Sequence, residues 1–577
     1  MHDFDIRRRS LLGGLIAVPL LSITADAEAA QSIPQLDTFI ANYMKMMNAP
    51  GMIVATSDHE NNSTVQSYGF ADLEAQRAIR PSERFHIGSI TKSFTALMVM
   101  QLVDEGKVRI DAPISDYLRG LPLFASFGPI SVHDLLCHTG GLPTDSPAPG
   151  WPDQIIQQAY PPGAQFHYSN LGYIWLGQLV EAVGGSPWPK ALHKRILDPL
   201  GMSETFSYIG GGMRGFEVPS YVPREDDRPY PRQGPVTRAP AIYFTWASGC
   251  IASTARDMAR YISMLANHGT GPNGRLVSKE SFAKMVQPHV VAKHFGPEAS
   301  YGYGFVVDKI DGKTVIRHTG GMLSFMSSFH VDLESRYGAF ASINAQLGYR
   351  PVPVTAYAIR LHRAEAAKLT LPPIPSANPD VDIVLADYAG TFVCEDGRQA
   401  RVSVAQRNLI VEMNGKTITL QSIGEDKFVC LDPNFRLFAF LFVRKKTVDA
   451  AIEGDINPVA ALGFARDLFV RPGMQPASIP GEGKAALSND ELASYEGFYA
   501  LNFSGQTPVR IVVRNACLWL DGILPLSSIG NNQFRLADEK FSPETVTFTP
   551  QTPDGSRSVS VFGATLQRVG EPFIETL

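Results

Sequence analysis

The sequence predicts an α+β unit over residues 30–370, followed by two small all-β barrels over 381–471 and 488–577. Three observations predict it. Up to about residue 370, helix-like apolar runs alternate with strand-like series. The prolines of Leu371-Pro372-Pro373-Ile374-Pro375 then mark a linker over 371–380, beyond which the pattern changes to short alternating strands. That second pattern occurs twice. Leu385-Ala386-Asp387-Tyr388-Ala389-Gly390 returns as Leu492-Ala493-Ser494-Tyr495-Glu496-Gly497, an offset of 492 − 385 = 107. Ser422-Ile423-Gly424 returns as Ser528-Ile529-Gly530, an offset of 528 − 422 = 106, and Phe428 and Asp432 return as Phe534 and Asp538 at the same 106. One order at a near-constant offset describes a single unit used twice. A Gly/Pro-rich linker over 472–487 separates the copies.

Within the first unit the elements follow in order. A helix over Ile33–Met47 precedes strands at Gly51–Thr56 and Ser63–Phe70, with Glu60-Asn61-Asn62 as the turn of their hairpin. The apolar run Phe94 to Leu102 predicts a buried helix with Ser89 at or near its first turn. Ile110–Pro113 and Ile130–Leu136 carry helix-start chemistry, and Cys137-His138-Thr139-Gly140-Gly141-Leu142-Pro143 is a Gly-rich break. Tyr168-Ser169-Asn170 stands at a loop-to-helix junction before the helix-like run Leu171 to Val183. Residues 207–245, rich in Gly, Pro and Arg, predict a long irregular loop, and Gly249–Met258 starts another helix. Strands at Thr314–Arg317, Ser327–Val331 and Ala339–Ile343 and a helix over Pro353–Leu369 complete the unit.

The N-terminus predicts export. Arg7-Arg8-Arg9-Ser10-Leu11-Leu12 leads an apolar stretch to about Ile23, and Ala25-Asp26-Ala27-Glu28-Ala29-Ala30 offers small-residue cleavage sites. Residues 1–29 resemble a twin-arginine signal peptide, which places the mature protein in a bacterial periplasm or outside the cell. The stretch is short for a bilayer span, which argues against an uncleaved anchor and for no stable membrane insertion. A net charge of −5 with no long basic run argues against nucleic acid as a partner. Neither Cys-x-x-Cys nor His-Glu-x-x-His occurs, so no metal-ligand motif supports a zinc site. The five cysteines are too scattered for a disulfide scaffold and read as buried thiols, with Cys394–Cys430 the one bridge left open.

The chemistry centres on Ser89-Ile90-Thr91-Lys92. Residues at i and i+3 share a helix face, so the Lys92 amine can meet the Ser89 hydroxyl. A serine is a poor nucleophile until a neighbour accepts its proton, and a buried lysine can do so. A helix N-terminus adds N–H groups for a developing oxyanion. Ser281-Phe282-Ala283-Lys284 has the same spacing, so context must choose between the two. Short polar side chains at Tyr168 and Asn170 can point into a cleft; the structural alternative is a buried tyrosine and a helix N-cap. The strand Lys313–Arg317 runs into His318-Thr319-Gly320-Gly321, whose glycines allow a substrate close to the backbone and whose histidine can bind substrate or help move a proton. His138-Thr139-Gly140 repeats those letters after a helix and reads as a structural turn.

Ser89-x-x-Lys92, Tyr168-x-Asn170 and His318-Thr319-Gly320, in that order, resemble the serine hydrolases related to class C β-lactamases and penicillin-binding proteins. Leu135–Leu142, Ser248-Gly249, Ser253–Asp257 and Tyr301-Gly302-Tyr303-Gly304 add to the resemblance, which covers about residues 32–370. It implies a β-lactamase/transpeptidase-like fold, an antiparallel sheet flanked by helices. It implies Ser89 as the acylated nucleophile and Lys92 and Tyr168 sharing the proton transfers. Asn170, His318, Thr319 and Gly320 would bind substrate, and the backbone N–H groups of Ser89 and Gly321 would form the oxyanion hole. No metal or organic cofactor is implied.

The relatives that hydrolyse β-lactams carry Lys-Thr-Gly where this chain carries His318-Thr319-Gly320. A neutral histidine gives a substrate carboxylate much less than a lysine does. That weakens β-lactam hydrolysis and D-alanyl-D-alanine carboxypeptidase activity as the main function. The three-part plan resembles the D-aminopeptidase type, whose two C-terminal barrels are lipocalin-like and of which one lends a loop to the site entrance. The expectation is an exported hydrolase of an amide or peptide bond in a small peptide, D-selective or specialised for nonribosomal or linearised cyclic peptides. An esterase of the same mechanism is the alternative. A non-catalytic sensor that binds penicillin or peptidoglycan is the alternative of another class. Oligomerisation is left open.

Overall fold

In a computed structural model of the chain, one antiparallel sheet carries the first unit. The structure describes residues 34–570 apart from short stretches, the longest being 145–155, 211–215, 225–231, 379–383, 445–457, 477–486, 501–508 and 537–544. The expected signal peptide lies outside the described residues.

The chain enters through helix α1 (Pro34–Met47) and the hairpin β1 (Gly51–Asp58) and β2 (Ser63–Asp72), with a short β3 (Arg77–Ala78) at the sheet edge. Helices α2 (Thr91–Asp104), α3 (Val132–Cys137), α4 (Asn170–Gly184), α5 (Ala255–Ala266) and α6 (Lys279–Val286) follow. Then come β4 (Val290–Val291), β5 (Ser300–Tyr301), β6 (Val306–Ile310), β7 (Lys313–Met322), β8 (Phe325–Asp332) and β9 (Tyr337–Ile343), and helix α7 (Val352–Ala366). The sheet order is β4-β5-β6-β7-β8-β9-β1-β2-β3, so the last hairpins return to pair beside the first strand.

Period-two alternation sorts the central strands between two cores. Met52 and Val54 of β1, with Ala339, Ala341 and Ile343 of β9, pack on α1 and α7. Ile53 and Ala55, with Phe340, face α2, α4 and α5. Both sheet faces are therefore covered, and β1 reads as an apolar run rather than an alternating one. Helix α2 is the centre of the larger core: Thr91 through Leu102 are all buried. Ring stacking of Phe94 on Tyr261, centroids 3.8 Å apart, and a hydrogen bond from the Tyr261 hydroxyl to Ser93 Oγ at 2.7 Å lock it against α5.

Strand β7 extends further than its sequence suggested, through His318-Thr319-Gly320-Gly321 to Met322. Beyond Arg317 it pairs with β8 alone, because β6 begins only at Val306, opposite Arg317. The His318–Met322 stretch thus has one edge without a strand. The last helix stops at Ala366, short of the expected Leu369, because Lys368 takes a left-handed conformation at φ 54°. The expected loop over 207–245 contains, in its described part, a small antiparallel pair, Tyr221–Pro223 with Val236–Arg238. All five cysteines are free, so the Cys394–Cys430 bridge is not formed.

Two closed eight-stranded barrels follow, their strands spanning Gly390–Val470 and Gly497–Gly570. The sequence repeat is a repeat of contacts. In the first barrel the Tyr388 hydroxyl donates to Asp426 Oδ1 at 2.9 Å, and the Tyr388 ring meets Phe428 at 5.1 Å and Phe442 at 4.9 Å. In the second, Tyr495 donates to Asn532 Oδ1 at 2.6 Å, and its ring meets Phe534 at 5.2 Å and Phe548 at 4.8 Å. Asp426 and Asn532 both sit in left-handed turns, at φ 60° and 58°. Buried ring contacts of this kind, edge-to-face or tilted, fill the barrel interiors there.

Candidate active site

From Phe85 to Leu102 every residue is buried except Ser89. The chain presents that hydroxyl from a 3₁₀ turn, Gly88–Ile90, which runs directly into α2. The turn is pressed against β7. Gly88 lies at φ 53°, and a Cβ on it would stand 2.8 Å from Gly321 N and 2.7 Å from Gly321 O. A Cβ on Gly320 would stand 1.8 Å from Ile87 O. Only glycine permits this approach of strand to turn. It brings the turn that carries Ser89 against the Gly320–Gly321 backbone of β7.

Lys92, fully buried as the second residue of α2 and one turn beyond Ser89, points its Nζ at three acceptors. These are Ser89 Oγ at 3.1 Å, Asn170 Oδ1 at 2.6 Å and the Ser248 carbonyl at 2.9 Å. Asn170 Oδ1 and Ser248 O can only accept. A neutral amine therefore keeps its two N–H groups on them and turns its lone pair to the Ser89 hydroxyl. The ammonium form donates to all three, and the rings of Tyr168 and Tyr173, 4.7 Å and 5.7 Å from Nζ, face its charge. The cluster accommodates lysine with and without the proton it would take from serine.

Local structure explains how Asn170 is spared for this contact. The N-cap of α4 is Ser169, not Asn170: Ser169 Oγ accepts from the Gly172 N–H at 3.1 Å and donates to Pro143 O at 2.6 Å. Asn170 is the first helical residue and its side chain turns inward. Gly177, mid-helix, lets the Ala247–Ser248 turn approach; a Cβ there would lie 2.3 Å from the Ala247 Cβ. The Ala247 carbonyl is held in turn by Thr95 Oγ1 at 2.8 Å.

Tyr168 is half-buried beside Lys92 and packs on His138, centroids 4.5 Å apart. His138 is the left-handed C-cap of α3, the turn expected of it. Its ring does more than the turn requires: Nδ1 accepts from the Ser169 N–H at 3.0 Å, and the ring lies among Tyr168, Tyr173 and Tyr301. Burial holds its pKa well below the usual histidine value.

His318 is buried, and both ring nitrogens are engaged inside the protein. Nδ1 lies 2.6 Å from the Thr319 carbonyl and must donate to it, so Nε2 accepts from the Tyr301 hydroxyl at 3.0 Å. Burial, with the Lys92 charge second, pushes its pKa down to about 3. The ring is neutral near pH 7. Thr319 is also buried, and Gly320 backs onto Ile87.

The other Ser-x-x-Lys is structural. Ser281 Oγ donates to Asp104 Oδ1 at 2.6 Å, and Lys284 is exposed.

Arg350 was not marked by any motif. A Cβ on Gly321 would lie 3.3 Å from Arg350 Nη2, and the arginine charge acts on both Tyr168 and His318. Among the described residues its guanidinium forms no ion pair. Its backbone carbonyl accepts from the Tyr43 hydroxyl at 2.9 Å. Tyr43 also feels the charge of Arg232, a buried residue whose Nη2 donates to Ser422 O of the first barrel at 2.8 Å. The barrel thus meets the first unit through the Ser422-Ile423-Gly424 element of the repeat, a contact with no local sequence signal.

The Beta-lactamase family signature matches residues 36–364, which is 329 of 577 residues, or more than half of the chain. Penicillin-binding protein 4 of Amycolatopsis lactamdurans is 27% identical over 343 residues, 56% of this chain and 87% of that protein. The putative penicillin-binding protein PbpX of Bacillus subtilis is 28% identical over 280 residues, 46% of this chain and 64% of that protein. The Unguisins hydrolase ungD of Aspergillus violaceofuscus is 26% identical over 249 residues, 39% of this chain and 43% of that protein. The match therefore spans most of the first relative but only part of the other two. Among solved structures, the octameric penicillin-binding protein homologue from Pyrococcus abyssi superposes with a TM-score of 0.54 at 23% identity, covering 76% of this chain and 100% of that one. That likeness shows the fold.

Proposed function

The chain belongs to the Beta-lactamase family and is a serine hydrolase of that family; from that premise we propose that it cleaves an amide bond in a small peptide through an acyl-Ser89 intermediate. The observation that carries the reading is the Lys92 Nζ cluster, with Ser89 Oγ as its one partner able to give up a proton among Ser89, Asn170 and Ser248.

The proposed steps follow from that cluster. Neutral Lys92 accepts the Ser89 proton as Oγ attacks the substrate carbonyl. The backbone N–H groups of Ser89 and Gly321 take the developing oxyanion. Tyr168, beside Lys92, relays the proton to the leaving amine, and the C–N bond breaks to leave the acyl-serine. Water then attacks the ester, giving its proton back through the same pair, and the free acid departs. The substrate lies along the open edge of His318–Met322. His318 sets that edge from behind, through Thr319 O and Tyr301, with no charge of its own.

The N-terminal arginine run supports export to the periplasm or beyond. The three-part architecture and the His318-Thr319-Gly320 motif support a D-aminopeptidase-like or specialised peptide substrate over a β-lactam. No described helix is long and apolar enough to cross a membrane.

The test is nitroaniline release from D-alanine and L-alanine p-nitroanilides, with a p-nitrophenyl ester alongside and Ser89→Ala as the blank. Amide cleavage lost in Ser89→Ala supports the reading, and D-preference the D-peptide form of it. Ester cleavage without amide cleavage makes the protein an esterase. Absence of turnover and of a covalent Ser89 adduct by mass would sink the hydrolase reading.

A further inference from the structure

Behind the active site, three metal-ligating side chains meet that no sequence motif joins. His133 and Cys137 are one helical turn apart on α3. His289 arrives from the segment between α6 and β4. One ligand atom from each lies within 4.8 Å of the others. Cys137 Sγ is 3.8 Å and 3.9 Å from the two ring nitrogens of His133. With Zn–S near 2.3 Å and Zn–N near 2.0–2.1 Å, tetrahedral ligand atoms stand roughly 3.3–3.7 Å apart. The present spacing is wider than that, so the side chains must rotate inward to close on an ion.

Each imidazole has one nitrogen engaged by a protein group outside the cluster. His289 Nε2 lies 2.8 Å from the Lys284 carbonyl and must donate to it, which leaves a lone pair on Nδ1. His133 Nδ1 lies 2.8 Å from the Tyr303 hydroxyl, and the Tyr303 ring stacks on His289 at 4.3 Å. Outer hydrogen bonds of this sort fix the tautomer and aim of metal-binding histidines. Cys137 is fully buried and the two histidines are half-buried, so an ion would enter past the rings and keep its outer position for water.

We propose that His133, Cys137 and His289 form a binding site for a zinc ion. On binding, the Cys137 S–H bond breaks, an S–Zn bond forms and the proton leaves to solvent; no electron is transferred. Zinc would tie the end of α3, and with it His138 beneath Tyr168, to the segment entering the sheet.

The test uses the full-length protein, stripped by chelation and dialysis. Zinc is titrated against a chromogenic chelator, and Co²⁺ is added in a parallel experiment. The expected result is about one zinc per chain withdrawn from the chelator, a rise in the thermal midpoint, and a thiolate-to-cobalt charge-transfer band. Cys137→Ser should remove that band, and His289→Asn should remove the zinc uptake. Metal-free thermal midpoints equal to wild type verify the variants' fold. Should Cys137→Ser not fold, His289→Asn, altered at a half-buried ring, decides alone. No zinc uptake by wild type, uptake unchanged in His289→Asn, or cobalt bound without a thiolate band would each overturn the proposal.

Discussion

Lys92 Nζ stands 2.6 Å from Asn170 Oδ1 and 3.1 Å from Ser89 Oγ, so the lysine is held more closely by the amide than by the proposed nucleophile. The amide fixes the amine while remaining neutral. Asn170→Asp would put a carboxylate in that place and stabilise the ammonium. The expected result is a fall in kcat of about 10²–10³ and an acid limb of the pH–rate profile moved to higher pH. An unchanged profile would remove Asn170 from the control of Lys92.

Ser89→Ala should abolish turnover. Ser281→Ala should leave it intact and cost about 1 kcal/mol of stability through the lost hydrogen bond to Asp104. Equal losses of activity from the two would contradict the placement of the nucleophile.

Gly88→Ala introduces a side chain at φ 53° and drives it into the Gly321 backbone. The left-handed conformation alone costs roughly 1–2 kcal/mol, and relief of the overlap must part the serine turn from β7. Turnover should fall far more than the thermal midpoint, because the separation is at the proposed oxyanion donors. Measuring both on the same preparation checks this.

Arg350 brings a positive charge to the side of the site where the motif supplies neutral His318. Arg350→Gln should raise KM for peptides with a free carboxylate near the cleaved bond and leave neutral analogues little changed. A uniform change in both sets would assign the arginine a packing role only.

Burial keeps His138, His318 and His330 uncharged in the fold, His318 with a pKa down to about 3. Unfolded, each takes up a proton as pH falls through about 6.5. The unfolded chain then binds more protons than the folded one, so stability is full above that value and declines as pH drops toward 3. Each histidine contributes up to about 1.4 kcal/mol per pH unit. Urea midpoints measured between pH 7 and 4 should fall steeply. His318→Gln, which loses one proton site, should flatten the slope.

The nearness of Ser89 to Lys92, and the place of Tyr168 and Asn170 at a loop-to-helix junction, were legible because each pair stands within one turn or one junction, where spacing fixes geometry. Strand β7 was legible only as far as Arg317, since the glycines after it weaken a strand pattern; close packing on Ile87 and Gly88 explains why they are there. The Ser248 contribution was hidden, being a backbone carbonyl whose place depends on Gly177 across the fold. Arg350, His289 and the Arg232–Ser422 contact were hidden for a related reason. Nothing local to them signals which distant element they meet. Asn170 as an N-cap was the reverse case, a good local guess displaced by Ser169 one residue earlier.

The doubled ring cluster of the barrels gives the chain an internal replicate. Tyr388→Phe and Tyr495→Phe remove the same hydroxyl from the same cage, one from Asp426 and the other from Asn532. Only the first cage belongs to the barrel whose Ser422 touches Arg232. Whatever the two substitutions share is the response of a barrel to losing a tether. Whatever separates them reports the charge of the partner, Asp426 against Asn532, together with the contact that the first barrel alone makes to Arg232 through Ser422.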